Sequence, residues 1–136
     1  MSFHIGRLID HVHLRAADLA ASQRFYTAAL AAVGLEIART GDGWFQADEL
    51  FVSTRDADTP PTHVHLAFQA ADRATVDRFH AAALAAGGTD NGAPGERHYH
   101  PGYYAAFVLD PDGNNIEAVY HGAATRSAAS ITLDPL

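Results

Sequence analysis

His11-Val12-His13-Leu14 and His63-Val64-His65-Leu66 open two halves written to one plan. Each is followed by Ala-Ala-Asp (16–18 and 70–72), by Arg-Phe (24–25 and 78–79) and by an Ala/Leu run ending in glycine, Gly34 and Gly88. The offset is 52 residues at the histidines and 54 at Asp18 and Asp72, so one two-residue insertion within 67–69 aligns the copies. A duplicated unit of this kind places equivalent residues about a pseudo-twofold axis, where histidines from both halves can converge on one point.

The 136 residues suffice for one core but not for two independent ones, so the copies must share it. With 48% hydrophobic residues the chain is globular, and a formal charge of -7 leaves no basic stripe for a nucleic-acid backbone. A small-molecule substrate is the expectation. The absence of cysteine removes disulfides, thiolate metal sites and thiol nucleophiles together, so any metal chemistry must use histidine and carboxylate. Residues 1–7 lack the apolar stretch of a signal peptide, and no run is long enough to span a membrane; a cytoplasmic protein with no membrane partner is expected.

Alternation over 11–14 predicts a strand with Val12 and Leu14 on one face and both histidines on the other. Asp18 then offers an N-cap to a helix whose apolar positions are Leu19, Ser22, Phe25, Tyr26, Ala29, Leu30 and Val33, with Gly34 as terminator. Three strands follow at 35–40, 44–47 and 50–54, separated by Gly41-Asp42-Gly43 and Asp48-Glu49, which completes a βαβββ module over about 7–55. A linker at 56–61, carrying Pro60-Pro61, divides it from a second module over about 62–121. There a strand at 62–68 precedes a helix capped by Asp72, with Val76, Phe79, Ala83 and Leu84 inward and Gly87-Gly88 as the stop. A long loop is expected at 89–102, then strands at 103–109 and 115–120 joined by Asp110-Pro111-Asp112-Gly113, and a tail at 122–136.

His11 and His13 share a strand face, as do His63 and His65, and alternation alone does not choose between the members of either pair. On the last strand Glu117 shares its face with Asn115 and Val119 and is the sole ionisable group in an otherwise core-like segment; such a carboxylate needs a partner. Two neutral imidazoles and a carboxylate on rigid strands make a three-ligand site with open positions, the arrangement a catalytic divalent ion requires. The segment 98–104, His-Tyr-His-Pro-Gly-Tyr-Tyr, reads as a rim that lends His100 or a tyrosine, Tyr104 foremost, as acid/base or substrate clamp. Trp44, Phe45 and Phe51 read as core or cleft wall, and His4 and His80 as surface residues.

The doubled βαβββ pattern, the opening Ile9-Asp10-His11-Val12-His13-Leu14, Arg24-Phe25-Tyr26 on the first helix and the ending Leu109-Asp110-Pro111-Asp112-Gly113-Asn114-Asn115-Ile116-Glu117 resemble the vicinal oxygen chelate superfamily. This is the group of glyoxalases, bleomycin resistance proteins and extradiol dioxygenases. The likeness covers about residues 7–121 and implies an α+β fold: two βαβββ modules forming a cupped eight-stranded mixed sheet, with helices outside and a metal within. Carried over, the metal ligands are His11, His63 and Glu117, which leaves His13 and His65 as inner neighbours for hydrogen bonding or proton transfer. The implied cofactor is a divalent ion (Fe, Mn, Zn or Ni) and the implied assembly a homodimer, with the tail after Gly122 as the segment that crosses to the partner.

Departures from the family's patterns narrow the reaction. Glyoxalase I takes a fourth ligand from the last strand of its first module, where 50–54 holds no acid and Glu49 stands just outside. The tyrosine that extradiol dioxygenases carry ten residues before the glutamate is Phe107 here. Fosfomycin resistance transferases place threonine at the position of His13 and a serine-flanked potassium loop where 97–104 has none. Arg97 and Arg126 remain as candidates for holding an anionic substrate. The resemblance therefore implies a metal-dependent lyase or isomerase, dioxygenase or transferase acting on a small oxygen-chelating substrate. Its alternative is a metal-free protein of the bleomycin-resistance type that binds and sequesters a small molecule.

Overall fold

The structure, a computed structural model, describes residues 3–5, 7–125, 128 and 131–134, without the side chains of 3–5, 131 and 133. The elements in chain order are β1 (Phe3–Ile5), β2 (Val12–Ala16), α1 (Leu19–Ala32), β3 (Arg39–Gly41), β4 (Trp44–Ala47), β5 (Leu50–Thr54), β6 (His65–Gln69), α2 (Arg73–Ala85), β7 (Thr89–Glu96), β8 (Tyr104–Leu109), β9 (Asn115–Tyr120) and β10 (Ile131–Leu133). Eight strands divide into two hydrogen-bonded mixed sheets of four, ordered β2-β5-β4-β3 and β6-β9-β8-β7. The orders are identical module by module, as the repeat requires. In each sheet the first strand runs parallel to the last and the other pairs are antiparallel. β10 pairs with β1 of the same chain.

Both helices begin as their sequences predict. Asp18 accepts from the Ala21 amide and Asp72 from the Thr75 amide and hydroxyl, each satisfying an otherwise unpaired donor of the first turn. The inward faces are Ser22, Phe25, Tyr26, Ala29 and Leu30 on α1, and Thr75, Val76, Phe79 and Ala83 on α2. α1 packs chiefly on α2. One hydrophobic cluster, including Leu14, Phe45 and Val52 from the first module and Val108, Ile116 and Ala118 from the second, spans both.

α1 ties the modules together. Phe25 reaches across to Gly88, where a Cβ would stand 2.8 Å from its ring and 2.4 Å from Val108, so only glycine permits this approach. Tyr26 donates to Asp110 at 2.6 Å, and the Ala17 amide donates to Asp112 at 3.1 Å. Asp110 also accepts from the Asp112 and Asn114 amides and the Asn114 side chain, while Asn114 accepts from the Val64 amide, so the turn before β9 is locked to β6.

The expected loop at 89–102 is corrected: residues 89–96 form β7, antiparallel to β8. Gly92, Pro94 and Gly95 argued against a strand, but β7 is the sheet edge, where a missing donor is tolerated, and its register shifts at Asp90/Gly92 and Gly92/Gly95 absorb the irregular residues. The strand expected at 35–40 shortens to Arg39–Gly41 because the chain first closes the helix, with the Gly34 amide donating to Ala31 and the Leu35 amide to Leu30. β2 and β6 begin at Val12 and His65, which leaves His11 and His63 just outside them. His80, expected at the surface, has a side chain only 15% exposed and bonds Asp90 at 2.9 Å. Arg126 and the His4 side chain lie outside the described residues.

Candidate functional site

The helices cover one face of each sheet, and the candidate residues gather on the other. In β9, Ile116 and Ala118 turn into the core, while Glu117 takes the opposite face at 2% exposure. Register sets its neighbours: Ala67 on β6 and Phe107 on β8 stand directly beside it, and His65 lies two residues before Ala67 on the same face. The imidazole of His65 donates from Nε2 to Glu117 Oε1 at 2.8 Å, and the Tyr103 hydroxyl donates to Oε2. A carboxylate removed from water is thereby satisfied at both oxygens, one bond coming from a half-exposed imidazole whose ring tilts against Phe107, 6.0 Å between centroids.

Tyr103 sits in a collar of rings. Tyr99, His100 and His121 each meet its ring edge-on, with centroids 4.9, 5.3 and 5.1 Å away. His100 donates from Nδ1 to the Pro101 carbonyl at 2.9 Å, which fixes its tautomer, so its Nε2 accepts from His121 Nδ1 at 2.8 Å. Burial, followed by the bond to and negative charge of Glu117, pushes the Tyr103 hydroxyl up to about 12. It stays a neutral donor across the physiological range.

The first module presents the matching face. His13 Nε2 and Ser53 Oγ share a 2.7 Å hydrogen bond across the β2–β5 pair. The imidazole meets Phe51 edge-on at 4.9 Å, and Trp44 stacks on Phe51 at 5.4 Å and 23°. Partial burial, then the nearby charges of Arg15 and His11, hold the His13 imidazole below its usual value, so it is neutral at pH 7. Of the three aromatic residues read as core or wall, Phe45 is core, whereas Trp44 and Phe51 line this face.

His65 and Glu117 are brought together, with His100 one ring away through Tyr103. His11 stands exposed and bonded to Asp10 at 2.7 Å, and His63 lies beside the 110–113 turn. Among the described residues no three His, Asp or Glu side chains are grouped to hold a metal ion. Tyr104 points the other way, donating to Asp77 on α2 at 2.7 Å with Arg73 over its ring. Sequence reasoning put Tyr104 ahead of Tyr103 and missed Ser53. A signal for Tyr103 was present, because alternation from Phe107 through Ala105 puts it, and not Tyr104, on the face of Glu117.

Residues 8–118 match the family described as Glyoxalase/Bleomycin resistance protein/Dioxygenase superfamily. The chain belongs to this superfamily. Within the superfamily it is similar to a glyoxalase/bleomycin resistance protein from Albidiferax ferrireducens T118, at 34% identity and a TM-score of 0.72, covering 81% of this chain and 96% of that one. A glyoxalase/bleomycin resistance protein/dioxygenase family enzyme from Burkholderia phytofirmans PsJN shares the fold at 22% identity and a TM-score of 0.65, covering 82% and 96%. A glyoxalase I mutant from Zea mays matches at 26% identity and a TM-score of 0.59, covering 80% of this chain and 44% of that one. No curated protein matches the chain.

Proposed function

We propose that this superfamily member is a divalent-metal-dependent enzyme acting on a small substrate that chelates the ion through adjacent oxygens. One observation carries the reading: Glu117, buried in a core-like strand, holds Oε1 2.8 Å from His65 Nε2, so a carboxylate and an imidazole donor stand side by side. Bonds of roughly 2.0–2.2 Å from one ion to two adjacent donors separate those donors by about 3 Å, so this pair fits a shared ion with little movement. Carboxylate and imidazole without thiolate suit Fe, Mn, Zn or Ni.

His65 and Glu117 supply two donors, and the histidines of the first module supply the third. Since no such trio is grouped among the described residues of one chain, the third donor, His11 or His13, comes from a second copy in a homodimer. The ion, when bound, supplies Lewis acidity toward an enolate-like or alkoxide charge on the substrate. Where His11 is that donor, the neutral His13, steadied by Ser53 and set edge-on to Phe51 with Trp44 stacked behind, is placed to take or return a proton.

A specific observation favours a second reading, metal-free binding and sequestration of a small molecule: both Glu117 oxygens already have partners within the chain. Calorimetric titration of chelator-stripped protein with Mn, Zn and Ni separates the two. The enzyme reading expects stoichiometric binding at pH 7 that weakens by up to about a hundredfold per pH unit in acid, since free imidazole titrates near ~6.5 and must be neutral to ligate. Binding of none of the three leaves the sequestration reading; binding that ignores pH between 7 and 5.5 removes the histidines from the site.

A further inference from the structure

We infer that Tyr103 is a positioning residue that sets which oxygen of Glu117 the site can use. The inference rests on the reading of Glu117 as the working carboxylate, and nothing in the family resemblance assigns the residue a role. Its hydroxyl donates to Oε2, which withdraws that oxygen and turns Oε1 toward His65. A free carboxylate rotates about its last bond and presents either oxygen or both. Here it has one orientation, because the ring that carries the clamp is itself held from three sides by Tyr99, His100 and His121.

The collar is fixed in turn by the backbone. The Arg97 amide donates to the Tyr103 carbonyl at 2.9 Å and the Tyr103 amide to the His100 carbonyl at 3.2 Å, closing the segment into a tight bend just before β8. The histidine-rich motif at 98–104 thus acts as a mount for one phenol, and its histidines reach the site through Tyr103. Groups that orient a metal's ligands in this way typically change its affinity by about tenfold to a hundredfold when removed.

Tyr103→Phe keeps the ring in its collar and deletes only the hydroxyl. Titrated with Mn2+, this variant is expected to bind about tenfold to a hundredfold more weakly than the natural protein, and in a Glu117→Met background, where the hydroxyl has no side-chain oxygen to clamp, the same substitution is expected to add no further loss. Thr75→Val, which removes a mostly buried hydroxyl from the Asp72 cap of α2 on the helix-covered side of the sheet, controls for lost stability and leaves Mn2+ affinity unchanged. If the natural protein binds Mn2+ and Tyr103→Phe binds it equally well, the clamp is refuted while the metal reading stands. If the natural protein binds no Mn2+, Zn2+ or Ni2+, the metal reading fails, and a metal-free urea-denaturation cycle decides the clamp. In a Glu117→Met background, which leaves the hydroxyl no carboxylate or amide oxygen to hold, Tyr103→Phe then has no effect if the clamp is real, and its full effect if it is not.

Discussion

Glu117 is costly to the fold unless satisfied, since an ionised carboxylate in a strand flanked by Ile116 and Ala118 has lost most of its water. Glu117→Gln is expected to leave the fold intact: the amide oxygen still accepts from Tyr103, and the His65 ring can change tautomer to accept from the new amide nitrogen. Metal affinity is expected to fall sharply, because the charged donor is gone. Calorimetry alongside far-ultraviolet circular dichroism checks both halves, and retained stoichiometric binding removes Glu117 from the site. The two histidines of the second module separate in the same assay. The resemblance selects His63, whereas the geometry pairs His65 with Glu117, so His65→Ala is expected to lose more Mn2+ affinity than His63→Ala. The opposite order returns the ligand role to His63.

At the scale of elements, the decisive feature is that α1 serves the other module. Tyr26 and Phe25 reach beyond their own module to Asp110 and Gly88, so the turn that aims β9, and with it Glu117, is held by a helix residue 84 positions earlier in the chain. Tyr26→Phe is expected to destabilise the protein by about 1 kcal/mol in urea denaturation, the low end for a buried hydrogen bond, because Asp110 keeps three other donors. Burial and the Asp110 carboxylate push the Tyr26 hydroxyl well above its ordinary value, as burial and Glu117 do to Tyr103. Both phenols are raised in the folded state. Their contribution is therefore fully present below pH ~10, where a free phenol begins to ionise, and is lost as pH climbs toward 12. Urea midpoints measured between pH 8 and 12 are expected to fall above 10, and to fall less steeply in Tyr26→Phe.

At the scale of the whole molecule, the helices occupy one side of each sheet and leave the other, with its histidines, uncovered by them. Leu8, Ile9 and Leu35 are exposed at 91, 46 and 40%, and Ile9 and Leu35 line a largely apolar cleft of about 240 Å³ with Val12, Leu50, Leu66 and Phe68, and with Asp48 and Glu49, at the seam between modules. The second copy of the proposed homodimer is expected to cover this patch. Light scattering at micromolar concentration is expected to give twice the 14.5 kDa chain mass; the monomer mass contradicts the proposed shared site.

The sequence by itself determined the elements whose signals are local. Asp18 and Asp72 cap helices because an aspartate side chain reaches amides three residues on, and β9 over 115–120 follows from alternation and the turn before it. The repeat determined that both sheets take one strand order. What only the tertiary structure decided lies between residues far apart: that edge position rescues a Gly- and Pro-bearing β7, that the eight strands form two sheets of four, and that His65 and Tyr103 are the partners of Glu117. Alternation assigns a side chain to a face but says nothing of its height along the neighbouring strand. That height is set by register, and register here is fixed by Asp110, Asn114 and Tyr26, groups that meet only once the modules have packed.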